Sequence, residues 1–393
     1  MKIGKNVYSV GVNDDEKVLF EGLWPLPFGV SYNSYIIADE KIALVDTVEA
    51  GFEEEYIANI DEVTGGRPLD YLVVNHMEPD HSSLIAYMLE RYPSLKIVAN
   101  PKTVPMLKGY YAVDESRIHI VNEGDTLSLG DCTLRFHMIP MVHWPETMVT
   151  YLEEEHTLFS GDAFGTFGAV QEDILDKEDT FEQYKDEMMR YYSNIVGKYG
   201  GPVQTALKKL AGVRIDRICS THGPVWEKCI PDVVALYDKM SRYEVERGVC
   251  IVYGSMYGNT AAAADALAME LEARGIPYAI HDLAGNNEGG LGISGALRDV
   301  FKYDTIVAGS PTYNANIFPP VETFMKSLSA RMIKGRRFYA FGSYTWAAAS
   351  IRLLNKMAQD MEFELLGDGL PFPQAYSKEK CDMAAVADII AGK

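Results

Sequence analysis

The segment "NHMEPDHSSL" at 75–84 places His76, Glu78, Asp80 and His81 within six residues. It follows an apolar run, "DYLVVNH" at 70–76, that reads as a strand, and it precedes a helical pattern. Pro79 fixes its own φ and keeps Glu78 out of the helical region, so the loop is expected to stay extended and turn its side chains inward. A lone histidine in apolar surroundings is usually a satisfied core residue. That reading fails here, because carboxylates beside a strand end are costly to bury without a cation. Further along lie His143 in "PMVHWPETM" at 140–148, Asp162 in "LFSGDAFG" at 158–165 and His222 in "CSTHGP" at 219–224. Each follows a strand-like run, and strand ends that deliver polar groups to one point make a site. Nitrogen and oxygen donors without a thiolate suit zinc, iron or manganese. His119, His137, His156 and His281 have no such company and read as structural or exposed.

Outward from this loop, strand-like runs at 41–47, 95–100, 148–153 and 214–222 alternate with helical patterns. The stretch at 231–248 reads as a helix running into a charged end, and a β-branched strand, "VCIVYG", begins at 249. The length of 393 residues favours two domains, and the boundary is placed there: 1–248 and 249–393. The second part alternates strands at 249–254, 277–282, 304–309, 337–342 and 363–369 with helices near 260–274, 293–302, 319–329, 348–360 and 379–391. That order predicts a doubly wound parallel sheet whose ligand lies at the carboxyl ends of the strands, where loops at 255, 310 and 343 converge.

The first of those loops, "SMYGNTAAAADAL", opens a helix. Ser255, Asn259 and Thr260 supply donors, Gly258 lets the backbone come close, and a helix amino terminus favours an anion. The loop reads as a phosphate cradle without the signature of a P-loop or of a dinucleotide site. "SPTYNANIFPP" at 310–320 and "GSYTWAAAS" at 342–350 add Tyr313, Tyr344 and Trp346 among small polar residues, as a planar cofactor requires.

Composition excludes several classes. The net charge is −20; residues 249–393 carry 13 Lys+Arg against 15 Asp+Glu, which leaves 23 against 41, or −18, for residues 1–248. So acidic a chain repels nucleic acid and anionic lipid. No apolar run reaches the roughly 18 residues of a membrane span, and "MKIGKNVYSV" lacks a secretory core. Five scattered cysteines without CxxC point to the cytoplasm and to inert core thiols. The run "RMIKGRR" at 331–337 reads as a solvated face.

The first set of motifs resembles the metallo-β-lactamase superfamily, an αββα sandwich, but with HxExDH in place of the HxHxDH common among its zinc hydrolases. Glu78 adds a harder, negative donor and favours iron. In this respect the chain resembles the flavodiiron proteins, and its second half resembles flavodoxin; the resemblance covers essentially the whole chain. It implies one iron on His76, Glu78 and His143, a second on Asp80, His81 and His222, and Asp162 between them, with no catalytic residue beyond these ligands. It also implies FMN held by Ser255, Met256, Tyr257, Gly258, Asn259 and Thr260, by Pro311, Thr312, Tyr313, Asn314 and Ala315, and by Ser343, Tyr344, Thr345 and Trp346. The implied activity is reduction of dioxygen to water, of nitric oxide to nitrous oxide, or both. Electrons are expected from a separate donor such as rubredoxin or from a reduced soluble cofactor, and the assembly from a head-to-tail homodimer or a dimer of dimers. The alternative is a metallo-hydrolase carrying a flavodoxin-like docking module; a pure electron carrier leaves the metal ligands unexplained.

Overall fold

The computed structural model describes residues 1–170, 173–285 and 290–392. It divides into two compact units, Met1–Ser241 and Arg242–Lys393. The helix expected at 231–248 is Ile230–Ser241, and the strand expected from 249 already begins at Glu246. The division therefore falls where the helix stops, ahead of the expected 248/249.

The first unit stacks two sheets. One has six strands in the order Val7–Ser9, Tyr35–Ala38, Ile42–Val45, Tyr71–Val73, Lys96–Ala99 and Ile118–Ile120; the other has five, Thr126–Ser128, Thr133–Met138, Met148–Leu152, Thr157–Gly161 and Arg217–Ser220. Their inner faces meet in one apolar core. Val45, Val73 and Val98 from the first sheet belong to the same cluster as Phe136, Met148 and Phe159 from the second. Strands such as Ile42–Val45 and Met148–Leu152 are buried along their whole length, which explains their continuous apolar runs. Helices Glu53–Thr64, Ile85–Arg91 and Thr103–Tyr111 follow strands of the first sheet, and Thr180–Tyr191, Gly200–Leu210 and Ile230–Ser241 flank the last strand of the second. This is the αββα layering expected of a metallo-β-lactamase-like sandwich. The loops that leave the strand carboxyl ends at Val73, Gly161 and Ser220 carry the metal motifs.

In the second unit the strands run in the order Tyr278–Asp282, Glu246–Tyr253, Tyr303–Gly309, Arg337–Tyr344 and a final edge, all parallel. The chain order 2-1-3-4-5 is the flavodoxin-like arrangement. The edge strand differs from the single run expected at 363–369. Glu364–Leu365 pairs with Arg337–Phe338 and Leu370–Pro373 with Phe341–Tyr344, and between them Gly367 and Gly369 take φ of 148° and 90°. Those angles do not fit a ladder. A second correction concerns "RMIKGRR", where Arg331 and Arg336 are buried. The Arg336 guanidinium donates to the carbonyls of Val300, Tyr243 and Lys334, so it ties the start of the unit to the end of a helix and is no solvated face. Among the described residues no helix is long and apolar enough to cross a membrane. All five cysteines are free and buried.

Candidate functional site

Glu78 is extended, with φ −61° and ψ 135°, and Pro79–His81 forms a single tight turn after it. The proline therefore sets the loop as its chemistry requires, and His76, Glu78, Asp80 and His81 are all buried. Asp162 and His222 reach the same point from the ends of Thr157–Gly161 and Arg217–Ser220, and His143 arrives from the turn before Met148–Leu152. Gly223 takes φ +80°, and a Cβ there would stand 2.1 Å from the Thr166 hydroxyl. Only glycine lets the chain leave His222 in this direction.

The two oxygens of Asp162 face two different sets of side chains. Oδ2 lies 3.0 Å from His143 Nε2 and 3.5 Å from His76 Nε2. His143 Nε2 is also 3.0 Å from Glu78 Oε2. Oδ1 lies 3.2 Å from His81 Nε2 and 3.6 Å from His222 Nε2, and that last nitrogen is 3.2 Å from Asp80 Oδ2. Ligand atoms of His76, Glu78, His81 and Asp162 lie within 4.8 Å of one another, as do those of Asp80, His81 and His222. His81 belongs to both sets.

Whether these residues fit metal ions is tested by their hydrogen bonding. His76 Nε2, His222 Nε2, both nitrogens of His81 and both carboxylate oxygens of Asp80 are buried without a hydrogen-bond partner. Orphaned buried atoms of this kind are expensive unless a cation takes them up. The electrostatics agree. Burial opposes the charged form of His81, but Asp80 and then Asp162 push its pKa up to about 10. Burial likewise opposes ionisation of Asp162 and Glu78, yet His81 and His143 hold the first well below the usual carboxylate range, and His143 and His76 hold the second there. These two carboxylates are thus held in their charged form by the imidazoles around them. The set fits two cations with nitrogen and oxygen ligands.

Several residues behind this set had escaped notice in the sequence. Glu146 accepts a hydrogen bond from His76 Nδ1, Thr221 donates to Asp162 Oδ1 at 2.7 Å, and Asp46 Oδ1 accepts from the Asn75 amide at 2.8 Å. Glu146 and Thr221 lie within the motifs around His143 and His222, and neither has a spacing signal of its own. Asp46 is the penultimate residue of the strand-like run at 41–47 and has no local signal. His119, His137, His156 and His281 stand in neither metal set among the described residues.

In the second unit three loops meet at a cleft of about 260 Å³ lined by Met256, Tyr257, Asn259, Pro311, Thr312, Ser343, Tyr344, Thr345 and Trp346. Ala347, Gln374 and Ala375 complete the lining, so a fourth loop contributes that sequence reading missed. Ser255, Gly258, Thr260, Tyr313, Asn314 and Ala315 belong to the same loops but do not line the cleft. The Ser255 hydroxyl accepts from Gly258 N at 3.1 Å, and the hydroxyls of Thr260 and Ser343 join two loops at 3.1 Å. Tyr313 and Asn316 close a two-residue turn in which Asn314 and Ala315 both have positive φ. Gly258, at φ +84°, stands just ahead of the helix Asn259–Ala273, and no atom lies within 4 Å of where its Cβ would be. Tyr257 and Trp346 are 88% and 84% exposed, which leaves two aromatic faces for a flat ligand. An open helix amino terminus beside aromatic faces fits a planar cofactor with one phosphate.

The fold and the two sites define a class: a β-lactamase-like domain with a two-cation centre, joined to a flavodoxin-like domain. Residues 30–223 match the family model described as ODP family beta lactamase, and residues 251–385 match the flavodoxin model. The chain is 32% identical over 370 residues to an uncharacterized protein of Methanocaldococcus jannaschii, covering 94% of this chain and 91% of that one. It is 30% identical to the anaerobic nitric oxide reductase flavorubredoxin of Escherichia coli O1:K1, covering 92% and 76%. The rubredoxin oxygen:oxidoreductase of Desulfovibrio gigas superposes with a TM-score of 0.93 at 27% identity over 100% of this chain and 98% of that one. The flavodiiron protein of Giardia intestinalis superposes with a TM-score of 0.91 at 27% identity over 98% and 95%. The chain belongs to the flavodiiron protein family.

Proposed function

We propose that this chain reduces dioxygen to water, nitric oxide to nitrous oxide, or both, with two irons in its first unit and FMN in its second. The observation that carries the reading is Asp162, whose two oxygens face two buried sets of imidazoles and carboxylates within one flavodiiron chain. His76, Glu78 and His143 would hold one iron and Asp80, His81 and His222 the other, with Asp162 between them. The phosphate of FMN would lie at the loop Ser255–Thr260, and its ring at the aromatic loops around Tyr313, Tyr344 and Trp346. When bound, these groups supply the single-electron steps that carry electrons from flavin to a small gas.

The chain's own residues position and shield. Glu146, Thr221 and the Ser31 carbonyl orient His76, Asp162 and His222. Burial of every proposed ligand restricts the centre to small substrates, and no protein nucleophile is needed. The electron donor is a separate protein such as rubredoxin, as the name of the Desulfovibrio relative suggests, or a reduced soluble cofactor. The working assembly is a head-to-tail homodimer, or a dimer of two such dimers, in which the flavin of one subunit serves the irons of the other. Five free, buried thiols support a cytoplasmic setting.

The test is metal content together with turnover. The purified protein should carry two irons and a flavin spectrum, and its chemically reduced flavin should reoxidise rapidly in oxygen or nitric oxide. Glu78→Ala should lose iron from one position and lose turnover with it. A zinc-loaded, colourless protein that cleaves esters or thioesters would refute the reading in favour of the hydrolase, and full turnover in Glu78→Ala would refute the ligand assignment.

A further inference from the structure

The two proposed ligand sets match in composition. Each has two imidazoles and one carboxylate and shares Asp162, so any inequality between the metals must come from what stands behind the ligands. There the two halves differ. His76 Nδ1 donates to Glu146 Oε1 at 2.7 Å, and the Met77 amide donates to the same oxygen at 3.0 Å. Asn100 Nδ2 donates to the Glu146 carbonyl at 2.6 Å and fixes its main chain. The Thr147 hydroxyl is 3.5 Å from the same imidazole nitrogen, too far to compete. The Glu146 side chain is wholly buried, and its Oε2 has no hydrogen-bond partner, so its charge is spent on His76 rather than on solvent. His222 has a neutral group in the equivalent place: its Nδ1 donates to the Ser31 carbonyl at 2.8 Å. Asp46, another buried carboxylate nearby, bonds the Asn75 amide and acts on His81 and His76 only through space, without a hydrogen bond to either imidazole.

A carboxylate behind an imidazole fixes its tautomer and makes the far nitrogen the stronger donor; a carbonyl does the first and little of the second. We infer that Glu146 is a positioning residue that makes the two metals unequal. It holds His76 with Nε2 turned to the centre, and its charge binds the iron on His76 more tightly and stabilises it in the oxidised state relative to the iron on His222. The inference rests on the iron ligation proposed above and adds an order to it: the His222 side accepts an electron first.

Glu146→Gln tests this. Both hydrogen bonds to Glu146 go to Oε1, which glutamine retains, so the substitution removes charge and keeps shape. The measurements are iron release to a chelator and a redox titration followed by Mössbauer spectroscopy, both on holoprotein. One of the two irons should leave about 10- to 100-fold faster than in the wild type while the other keeps its rate. One of the two iron midpoint potentials should rise, and the signal of one iron subsite should change. Wild-type release rates with both potentials unmoved would overturn the inference while leaving the di-iron reading intact, and equal changes at both irons would overturn it as well. A wild-type chain that holds fewer than two irons would overturn the di-iron reading itself. Should Glu146→Gln yield no folded protein, Asn100→Ala frees the Glu146 main chain while keeping the carboxylate. It is expected to move the same two quantities in the same direction by less, and no movement would count against the role.

Discussion

Asp299 lies buried on the helix Gly292–Lys302, where its carboxylate accepts from His281 Nε2 at 2.8 Å and from Arg298 Nε and Nη2 at 3.0 Å each. Burial alone would raise its pKa, but the bonds from His281 and Arg298 outweigh burial and hold it below the ordinary 3.8. A carboxylate with a lowered folded pKa stabilises the fold above its unfolded pKa, and that contribution is lost as pH falls through the folded value. Asp299→Asn should therefore cost about 1.5 to 3 kcal/mol at pH 7. The gap from the wild type should begin to narrow as pH falls below about 4, where the unfolded chain starts to take up the proton, and should close only below the lowered folded pKa, where both chains carry a neutral group. Chemical unfolding of both proteins across pH 7 to 3 measures it; a gap that stays constant over that range would rule the linkage out. His281 also illustrates how a histidine outside the metal motifs is used, as a partner for a buried acid. Nothing near it in the chain marks it out, because Asp299 is separated from it by 18 positions and a change of element.

At the level of elements, the loop Ser255–Thr260 and the helix behind it combine two tasks. Asn259 Oδ1 accepts from the Tyr376 amide at 3.2 Å, and Thr260 joins Ser343. The residues proposed to cradle phosphate thus also tie neighbouring loops to the helix start. Asn259→Ala/Thr260→Ala should remove contacts to a charged group worth on the order of 1.5 to 3 kcal/mol each. The purified double variant should be mostly colourless, and flavin released on denaturation measures the occupancy. Stoichiometric flavin in that variant would place the cofactor elsewhere. The short hairpin at Thr312–Ile317 and the broken edge strand were not legible beforehand. Both depend on residues in the left-handed region, among them Asn314, Ala315, Gly367 and Gly369, and pattern alone does not tell a left-handed residue from a strand residue.

For the whole molecule the proposed dimer makes a prediction about mixing. A His76→Ala/Glu78→Ala chain should lack functional iron, and an Asn259→Ala/Thr260→Ala chain should lack FMN. Each alone should be inactive. Mixed under conditions where subunit exchange has been verified, they form a heterodimer that pairs the sound flavin of the first with the sound irons of the second, so turnover should reappear. Heterodimers that form and stay inactive would show that electrons pass within a chain, and the crossed arrangement would fall.

Local spacing carried much of this protein. The HxExDH loop with Pro79, the small polar loop ahead of an alanine-rich helix and the alternation of strands and helices are all short-range patterns. Backbone sterics and apolar periodicity translate them directly into structure. Fold class and most of the segments that meet at each site could therefore be read from the chain alone, but the loop at Gln374 and Ala375 could not. What stands behind the ligands could not. Glu146 reaches His76 across 70 positions, and Ser31 reaches His222 across 191. No periodicity links residues so far apart, so only the packing of two sheets brings them together. That packing decides which oxygen of Asp162 faces which imidazole, and it puts a charge behind one histidine and a neutral carbonyl behind the other.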